Sequence, residues 1–161
     1  EYAINGRPCR DYRYEDFRRQ VTLLSQKTFV YSASIRDNLT MFSGTAQQDE
    51  ALTKTLADAG LSKWYAERGA SMDIQIGGEE HALSGGEERR LDLARTLWRK
   101  GSLVMLDEPA AGLDEKTRVE LEEQIAQLPC EILIVAMHNY SPEFLDSFTK
   151  VLRIRDGEIV M

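Results

Sequence analysis

Apolar positions along the chain fall either into short continuous runs or into stripes at helical spacing. The continuous runs, LVML at residues 103–106 and ILIVAM at residues 132–137, predict strands that are buried on both faces of a sheet. Leu52, Leu56 and Ala59 lie at helical spacing and are followed directly by a glycine, so they predict a helix that ends there. The pattern therefore predicts a chain that contains both buried strands and amphipathic helices.

Two further helices are predicted in the second half of the chain by apolar stripes. The stripes consist of Leu91, Ala94, Leu97 and Trp98 in the first helix and of Leu121, Ile125 and Leu128 in the second. A short strand at residues 21–25 and a hairpin at residues 151–160 complete the predicted elements. Because strands and helices alternate, the sequence predicts an α/β domain with a largely parallel sheet.

The predicted helices concentrate in the middle of the chain. We expect residues 34–97 to form an inserted helical subdomain, and residues 1–33 and 98–161 to form the α/β core around it. With 161 residues the chain is one domain or most of one, and it is long enough to bury a core.

The composition argues against several classes of function. The formal net charge of −7 disfavours a nucleic-acid groove, which needs clustered Lys and Arg facing phosphates. Cys9 and Cys130 lie far apart and the two histidines are isolated, which disfavours a structural metal site and favours a reducing, cytosolic compartment. No apolar run approaches the roughly 20 residues that span a bilayer, so we expect a soluble chain.

Two adjacent carboxylates, Asp107 and Glu108, directly follow the apolar run at residues 103–106. If that run is a strand, both acids lie at the carboxyl edge of the sheet, where α/β proteins bind their ligands. One acid can orient Mg²⁺ while the other polarises an attacking water. The alternative is a strand that simply ends in two solvated acids.

A helix start at Ser84, Gly85 and Gly86 precedes the charged, leucine-rich stretch that begins at Glu87. Helix starts hold anionic groups, because their free backbone N–H groups and the helix dipole point outward. The alternative is an ordinary cap in which Ser84 satisfies the first turn. A search of the 161 residues for the phosphate-binding (Walker A) pattern GxxxxGK[ST] finds none.

Five motifs follow one another along the chain. They are Gln26 after a strand, LSGGE at residues 83–87, LVMLDEP at residues 103–109, GLD at residues 112–114 and His138 after a strand. In this order the chain resembles the nucleotide-binding domain of ATP-binding-cassette (ABC) transporters over essentially its whole length, and it is most similar to the exporter type. The resemblance implies a P-loop NTPase-like (RecA-like) fold, in which a helical subdomain is inserted into a parallel sheet core.

The resemblance assigns catalytic roles to four residues of this sequence. Asp107 would hold Mg²⁺ through water, and Glu108 would be the general base for ATP hydrolysis. His138 would contact the γ-phosphate, and Gln26 would contact Mg²⁺ or the attacking water and respond to the transmembrane domains. Taken singly, His138 is a strand-end histidine and Gln26 a loop amide, so these roles depend on the resemblance.

The resemblance also assigns residues to an interface between two such domains. Ser84, Gly85 and Gly86 would contact the γ-phosphate of ATP bound to the partner domain, and Glu87 stands where exporters usually carry glutamine. Asp114 would lie at the dimer interface and help to order the opposite site, although alone it reads as a helix cap. Two ATP molecules would thus be sandwiched in a head-to-tail dimer, either of identical or of different halves.

The resemblance implies further partners and a location. The intact protein would be an ATPase that requires ATP and Mg²⁺, works with transmembrane domains and lies at the cytoplasmic face of the membrane. The family's phosphate-binding loop would precede residue 1, so the chain resembles the C-terminal two-thirds of such a domain. We therefore expect these 161 residues alone to bind Mg-ATP poorly and to be inactive.

Two other functions remain open from the sequence. Soluble ABC ATPases of chromosome maintenance and DNA repair often carry the same LSGGE signature, but they insert long coiled coils before it. Here Gln26 and Ser84 are only 58 positions apart, and no sustained heptads lie between them. The chain could also be a non-catalytic dimerisation fragment, in which case Glu108 and His138 would have no role.

Overall fold

The structure is a computed structural model and describes residues 3–4, 6–24, 27–44 and 46–160. The described strands are β1 (Ala3–Ile4), β2 (Arg7–Pro8), β3 (Val21–Leu24), β4 (Ala33–Ser34), β5 (Gln75–Ile76), β6 (Leu103–Asp107), β7 (Ile132–Ala136), β8 (Arg153–Arg155) and β9 (Glu158–Val160). The described α-helices are α1 (Tyr14–Gln20), α2 (Ile35–Thr40), α3 (Asp49–Asp58), α4 (Ser62–Glu67), α5 (Gly85–Arg99), α6 (Glu115–Ala126) and α7 (Pro142–Asp146).

A parallel sheet forms the centre of the fold. Strand β6 pairs in parallel with β3 on one side and with β7 on the other. The register places Leu24 beside Leu106 and Asp107 beside Ala136, so the three strands end at the same edge. The predicted α/β class and parallel sheet are confirmed, and the residues that follow β6 and β7 meet at that carboxyl edge.

Only one face of this sheet is buried, which corrects the prediction that the apolar strands are covered on both faces. Leu106 on the inner face is 2% exposed. On the other face the register aligns Leu23, Met105 and Ile134, which are 62%, 36% and 48% exposed. A continuous apolar run shows that both faces of a strand are apolar, but it does not show that the described part of the chain supplies a layer for each face.

The core lies where α2, α3 and α5 pack together beneath the inner face of the sheet. Ile35, Leu39, Leu52, Leu56 and Leu91 are each at most 1% exposed, and each contributes about 1.5–3 kcal/mol by burial of its side chain. In the described part of the chain, no helix combines the length and the hydropathy that a membrane crossing requires.

The predicted end of the middle helix is confirmed at a glycine. Helix α3 stops at Asp58, and Gly60 adopts φ +73, a conformation that favours glycine. A Cβ atom at Gly60 would lie 2.3 Å from the Gln124 side chain on α6 and 2.2 Å from that of Arg90 on α5. The absence of a side chain therefore lets three helices approach one another at this point.

Two short helices outside the expected helical subdomain, α1 and α7, were not predicted. Helix α1 has no buried residue, with Tyr14 70% and Phe17 42% exposed, so its sequence carries no apolar stripe. Helix α7 has five residues and buries only Phe144. The predicted C-terminal hairpin is confirmed, although β8 begins two residues later than the predicted run.

Candidate functional site

Strand β6 ends in the two predicted carboxylates. Asp107 is its last residue and is exposed to solvent. Glu108 follows with φ +48, a left-handed conformation that costs an L residue about 1–2 kcal/mol. Its backbone N–H donates to the Ala136 carbonyl (2.8 Å), and its carbonyl accepts from the N–H of Ala111 (3.1 Å). These two hydrogen bonds hold the backbone in a strained turn, which fixes the position of the Glu108 Cα and the direction of its side chain.

The carboxylate of Glu108 contacts the imidazole of His138 across the strand ends. The Nδ1 atom of His138 lies 2.6 Å from Oε1 of Glu108. The imidazole is 80% exposed, whereas the carboxylate is only 22% exposed. An ionised carboxylate only accepts hydrogen bonds, so opposite an ionised Glu108 the proton lies on Nδ1, and Nε2 is left to meet a ligand. The structure thus brings together two predicted residues from neighbouring strands.

Helix α5 begins at the predicted anion-binding segment. The Ser84 hydroxyl accepts from the Glu87 N–H (3.3 Å), and the Glu87 carboxylate accepts in turn from the Ser84 N–H (2.7 Å) and hydroxyl (2.9 Å). This is a capping box, so the simpler reading of Ser84 as a cap describes its local role. The position where Gly85 would carry a Cβ has no heavy atom within 4 Å, which leaves room for a ligand beside the first turn.

The start of helix α6 lies next to the start of α5. Asp114 caps α6 by accepting from the Thr117 N–H (3.1 Å) and hydroxyl (2.7 Å). The hydrogen bond from the Thr117 hydroxyl, more than any other contact, holds the pKa of Asp114 below its ordinary value. A Cβ atom at Gly86 would lie 3.6 Å from the Thr117 methyl and 3.8 Å from Leu113. The two segments that the resemblance assigns to an interface are therefore neighbours.

Gln26 lies outside the described residues, but the segment that follows it is bound to α5. The Thr28 hydroxyl donates to Glu88 in the first turn of α5 (2.9 Å). Further along this helix, Arg95 donates to the Phe29 carbonyl (2.5 Å) and to the Asn38 carbonyl (2.7 Å). No pattern in the sequence indicated these contacts, because the partners of Thr28 and Phe29 lie 60 and 66 positions away.

An exposed aromatic surface lies beside this segment. We define it by Phe29, Tyr31, Met41 and Phe42. The ring of Tyr31 meets those of Phe29 and Phe42 edge to face, at centroid distances of 4.6 and 5.2 Å. Phe29 and Phe42 are nonetheless 60% and 58% exposed. Phe29, Tyr31 and Met41 also line an open cavity of about 220 Å³. Apolar side chains exposed together in this way mark an interaction site.

The donor set fits a magnesium–nucleotide complex better than a site made by protein alone. Among the residues that the structure describes, no group of three or more His, Cys, Asp or Glu side chains is placed to hold a metal ion. Mg²⁺ usually keeps several waters and takes only one or two carboxylates together with substrate phosphates. The exposed carboxylate of Asp107 at the sheet edge fits that requirement.

Comparison with known proteins gives one family and several relatives. The family model described as "ABC transporter" matches residues 1–111. The ATP-binding/permease protein CydC of a glutathione/L-cysteine transport system from Haemophilus influenzae is 34% identical over an alignment of 161 positions. The alignment covers 99% of this chain and 28% of that protein. An ATP-dependent lipid A-core flippase from Xylella fastidiosa is 27% identical, over 99% of this chain and 27% of the flippase.

A solved structure has the same fold. The structure of a bacterial Atm1-family ABC exporter with ATP bound matches with a TM-score of 0.68 at 21% identity, over 85% of this chain and 24% of the exporter chain. The chain therefore spans about a quarter of the length of these relatives. The structural likeness at this identity concerns the fold.

Proposed function

We propose that this chain, which belongs to the ABC transporter family, is an ATP-hydrolysing motor of an exporter and couples ATP hydrolysis to transport across a membrane. The observation that carries the proposal is the contact between Glu108 and His138, beside Asp107 at the carboxyl edge of the sheet. Family membership implies nucleotide binding, and this edge is where α/β sheets bind their ligands.

In this proposal the three residues divide the chemistry of hydrolysis. Glu108 accepts the proton of the attacking water, and its half-buried position and fixed backbone aim the carboxylate. His138 donates a hydrogen bond from Nδ1 to Glu108, which stays ionised, and presents Nε2 to the γ-phosphate. Asp107 holds Mg²⁺ through water, and a bound Mg²⁺ would neutralise charge on the phosphate oxygens. Gln26, which lies outside the described residues, takes the role that the resemblance gives it: it contacts Mg²⁺ or the attacking water and responds to the transmembrane domains.

The start of α5 contacts the ATP that is bound to a second nucleotide-binding domain. Gly85 and Gly86 present first-turn N–H groups, which have no acceptor within the helix, to that γ-phosphate, and Ser84, whose own N–H is bonded to Glu87, contacts it from the cap position. Glu87 keeps Ser84 in place through the capping box. Asp114, which borders Gly86 through Thr117, completes this face in a head-to-tail dimer of identical or different halves. Residues 34–97 would act as the helical subdomain that carries the face.

The transmembrane domains are proposed to dock on the aromatic surface. Two of its residues, Phe29 and Tyr31, follow Gln26 within five positions of the chain, and the surface exposes Phe29 and Phe42 to solvent. The relatives named above are called a permease protein, a flippase and an exporter, which favours a membrane-transport role over chromosome maintenance. The motor would then lie at the cytoplasmic face of the membrane.

The test is Glu108→Gln in the transporter that contains this chain. Because a general base contributes about 10²–10⁴-fold, steady-state ATP hydrolysis should fall at least about 100-fold while ATP binding persists. Glu115→Gln, an exposed carboxylate in the first turn of α6, is the matched control and should leave turnover unchanged. Turnover that survives Glu108→Gln would remove Glu108 from the role of base. For the isolated 161 residues, calorimetric titration with Mg-ATP should detect only weak binding.

A further inference from the structure

The loop that carries His138 is held at both of its ends. It leaves β7 at Ala136, whose carbonyl accepts from the Glu108 N–H (2.8 Å). It enters α7 at Ser141, whose hydroxyl caps that helix by accepting from the Phe144 N–H (3.2 Å). Since the imidazole itself is 80% exposed, few packing contacts can hold it. Its place depends on where the two ends of the loop are fixed.

The second end is fixed by a buried carboxylate on helix α6. Glu122 is 1% exposed, and its Oε2 accepts from the Ser141 hydroxyl (2.6 Å) and from the Ser141 N–H (3.2 Å). Its Oε1 accepts from Arg118 one turn earlier on the same helix (2.6 Å). A buried carboxylate with all of its bonds made to fixed partners is a rigid anchor, because each bond is strong at low dielectric and costly to lose.

Helix α6 connects this anchor with the proposed interface. Asp114 caps the start of α6, and Glu122 lies eight residues further on, or about 12 Å along the axis at 1.5 Å per residue. Met137 and Tyr140 also pack against the core, but apolar contacts do not fix a direction in the way that hydrogen bonds do. One rigid element thus holds both Asp114 and the loop of His138.

We propose that Glu122 is a positioning residue for His138. Its carboxylate fixes Ser141, and this determines the path of residues 137–140 and keeps His138 Nδ1 on Glu108. The geometric part of the proposal concerns this chain alone. Its consequence for catalysis rests on the function proposed above for His138 and Glu108.

The positioning is tested by the ¹⁵N resonances of the imidazole rings in the 161-residue chain. The chain has two histidines, and exposed His81 serves as an internal reference. In the unchanged protein, His138 should show a protonated, hydrogen-bonded Nδ1. Ser141→Ala and Glu122→Ala should move His138 towards the tautomer mixture of a free imidazole and leave His81 unchanged. Glu123→Gln, an exposed neighbour on the same helix, is the matched control and should move neither signal.

Glu122→Ala removes a buried charge and can unfold the chain, so Ser141→Ala decides the question. It deletes the hydroxyl that binds Glu122 and caps α7, and it leaves the carboxylate bonded to Arg118 and to the backbone N–H of residue 141. A folded Ser141→Ala variant with unchanged His138 resonances would overturn the proposal. A selective shift of His138 would support it.

A second measurement separates this proposal from the proposed function. In the transporter, Ser141→Ala should lower kcat by up to about 100-fold and change the KM for ATP less than twofold, since misplacing a reacting group by 1 Å costs about that much. If the His138 resonances shift and kcat does not change, then Glu122 positions His138 but His138 does not take part in turnover. That result would count against the proposed function and leave the positioning intact.

Discussion

The Nδ1 atom of His138 lies 2.6 Å from Oε1 of Glu108, although the two residues are 30 positions apart in the chain. Parallel pairing of β6 with β7 makes this contact possible, because it places Asp107 beside Ala136 at the end of both strands. The imidazole is therefore oriented by the same carboxylate that we propose as the base. A group oriented in this way can act on a phosphate only through its other ring nitrogen.

Replacing His138 by Ala should lower ATP turnover in the transporter by about 100-fold or more, because the substitution removes both the orienting partner of Glu108 and the ligand-facing Nε2. ATP binding, measured by equilibrium titration, should persist. His81→Ala is the matched control, since His81 is exposed in a loop and its contact with Gly77 is made by the backbone carbonyl. Equal turnover in the two variants would exclude His138 from catalysis.

Much of the fold and of the family could be predicted from the sequence. Apolar runs and stripes depend on local chemistry, and they located β6, β7, α3, α5 and α6. Five ordered motifs indicated the ABC transporter family, which the family model over residues 1–111 confirms. The order of the motifs thus indicated a family that no single residue indicated. Ser84 and Asp114, for example, each have the pattern of an ordinary helix cap, and the structure shows that both are caps.

Other features could not be predicted because they depend on distant pairings. The contacts of Thr28 with Glu88 and of Ser141 with Glu122 join residues 60 and 19 positions apart, and neither has a pattern in the sequence. The exposed outer face of the sheet was missed for a similar reason. Leu23 and Met105 are as apolar as buried residues, and only the absence of a covering layer among the described residues leaves them open.

The uneven burial of β6 predicts different costs for two adjacent substitutions. Leu106→Ala should lower the free energy of unfolding by about 2–5 kcal/mol, because it leaves a cavity at a position that is 2% exposed. Met105→Ala, one residue earlier and 36% exposed, is the matched control and should cost less than about 1 kcal/mol. Urea unfolding of both variants measures the difference. Similar losses would mean that the outer face is covered in solution.

The ionisation of two aspartates should make the free energy of unfolding depend on pH in opposite directions. Burial raises the pKa of Asp92 above its ordinary value of 3.8, against the opposing influence of Arg95. The folded chain therefore holds this proton at a pH where the unfolded chain has released it, so stability falls as pH rises from about 3.8 through the raised pKa. Asp92→Asn removes this loss, and its stability relative to the unchanged protein should rise across that window.

Asp49 provides the control with the opposite sign. Its hydrogen bond from Arg36 lowers its pKa below 3.8, so its contribution to stability is present above 3.8 and is lost as pH falls through the lowered value. Asp49→Asn should therefore lose stability relative to the unchanged protein as pH rises from the lowered pKa to 3.8, a window that lies below that of Asp92. Urea unfolding at a series of pH values from about 2 to 7 measures both variants. If the stability of both variants relative to the unchanged protein changed with pH in the same direction, then burial would not dominate at Asp92, or the hydrogen bond from Arg36 would not dominate at Asp49.

Arg95 connects the segment after Gln26 to helix α5. We therefore expect Arg95 to transmit the proposed docking of the transmembrane domains to that helix. Its guanidinium donates to the carbonyls of Phe29 and Asn38 and is oriented by Asp92. Arg95→Lys keeps the charge but loses the planar fork that makes several directed bonds at once. In the transporter, this variant should reduce the stimulation of ATP turnover by transported substrate more than the basal turnover. Arg99→Lys, an exposed residue one turn further along α5, is the matched control and should preserve stimulation. If Arg95→Lys lowered basal and stimulated turnover by the same factor, Arg95 would support the fold of the motor without linking the docking segment to α5.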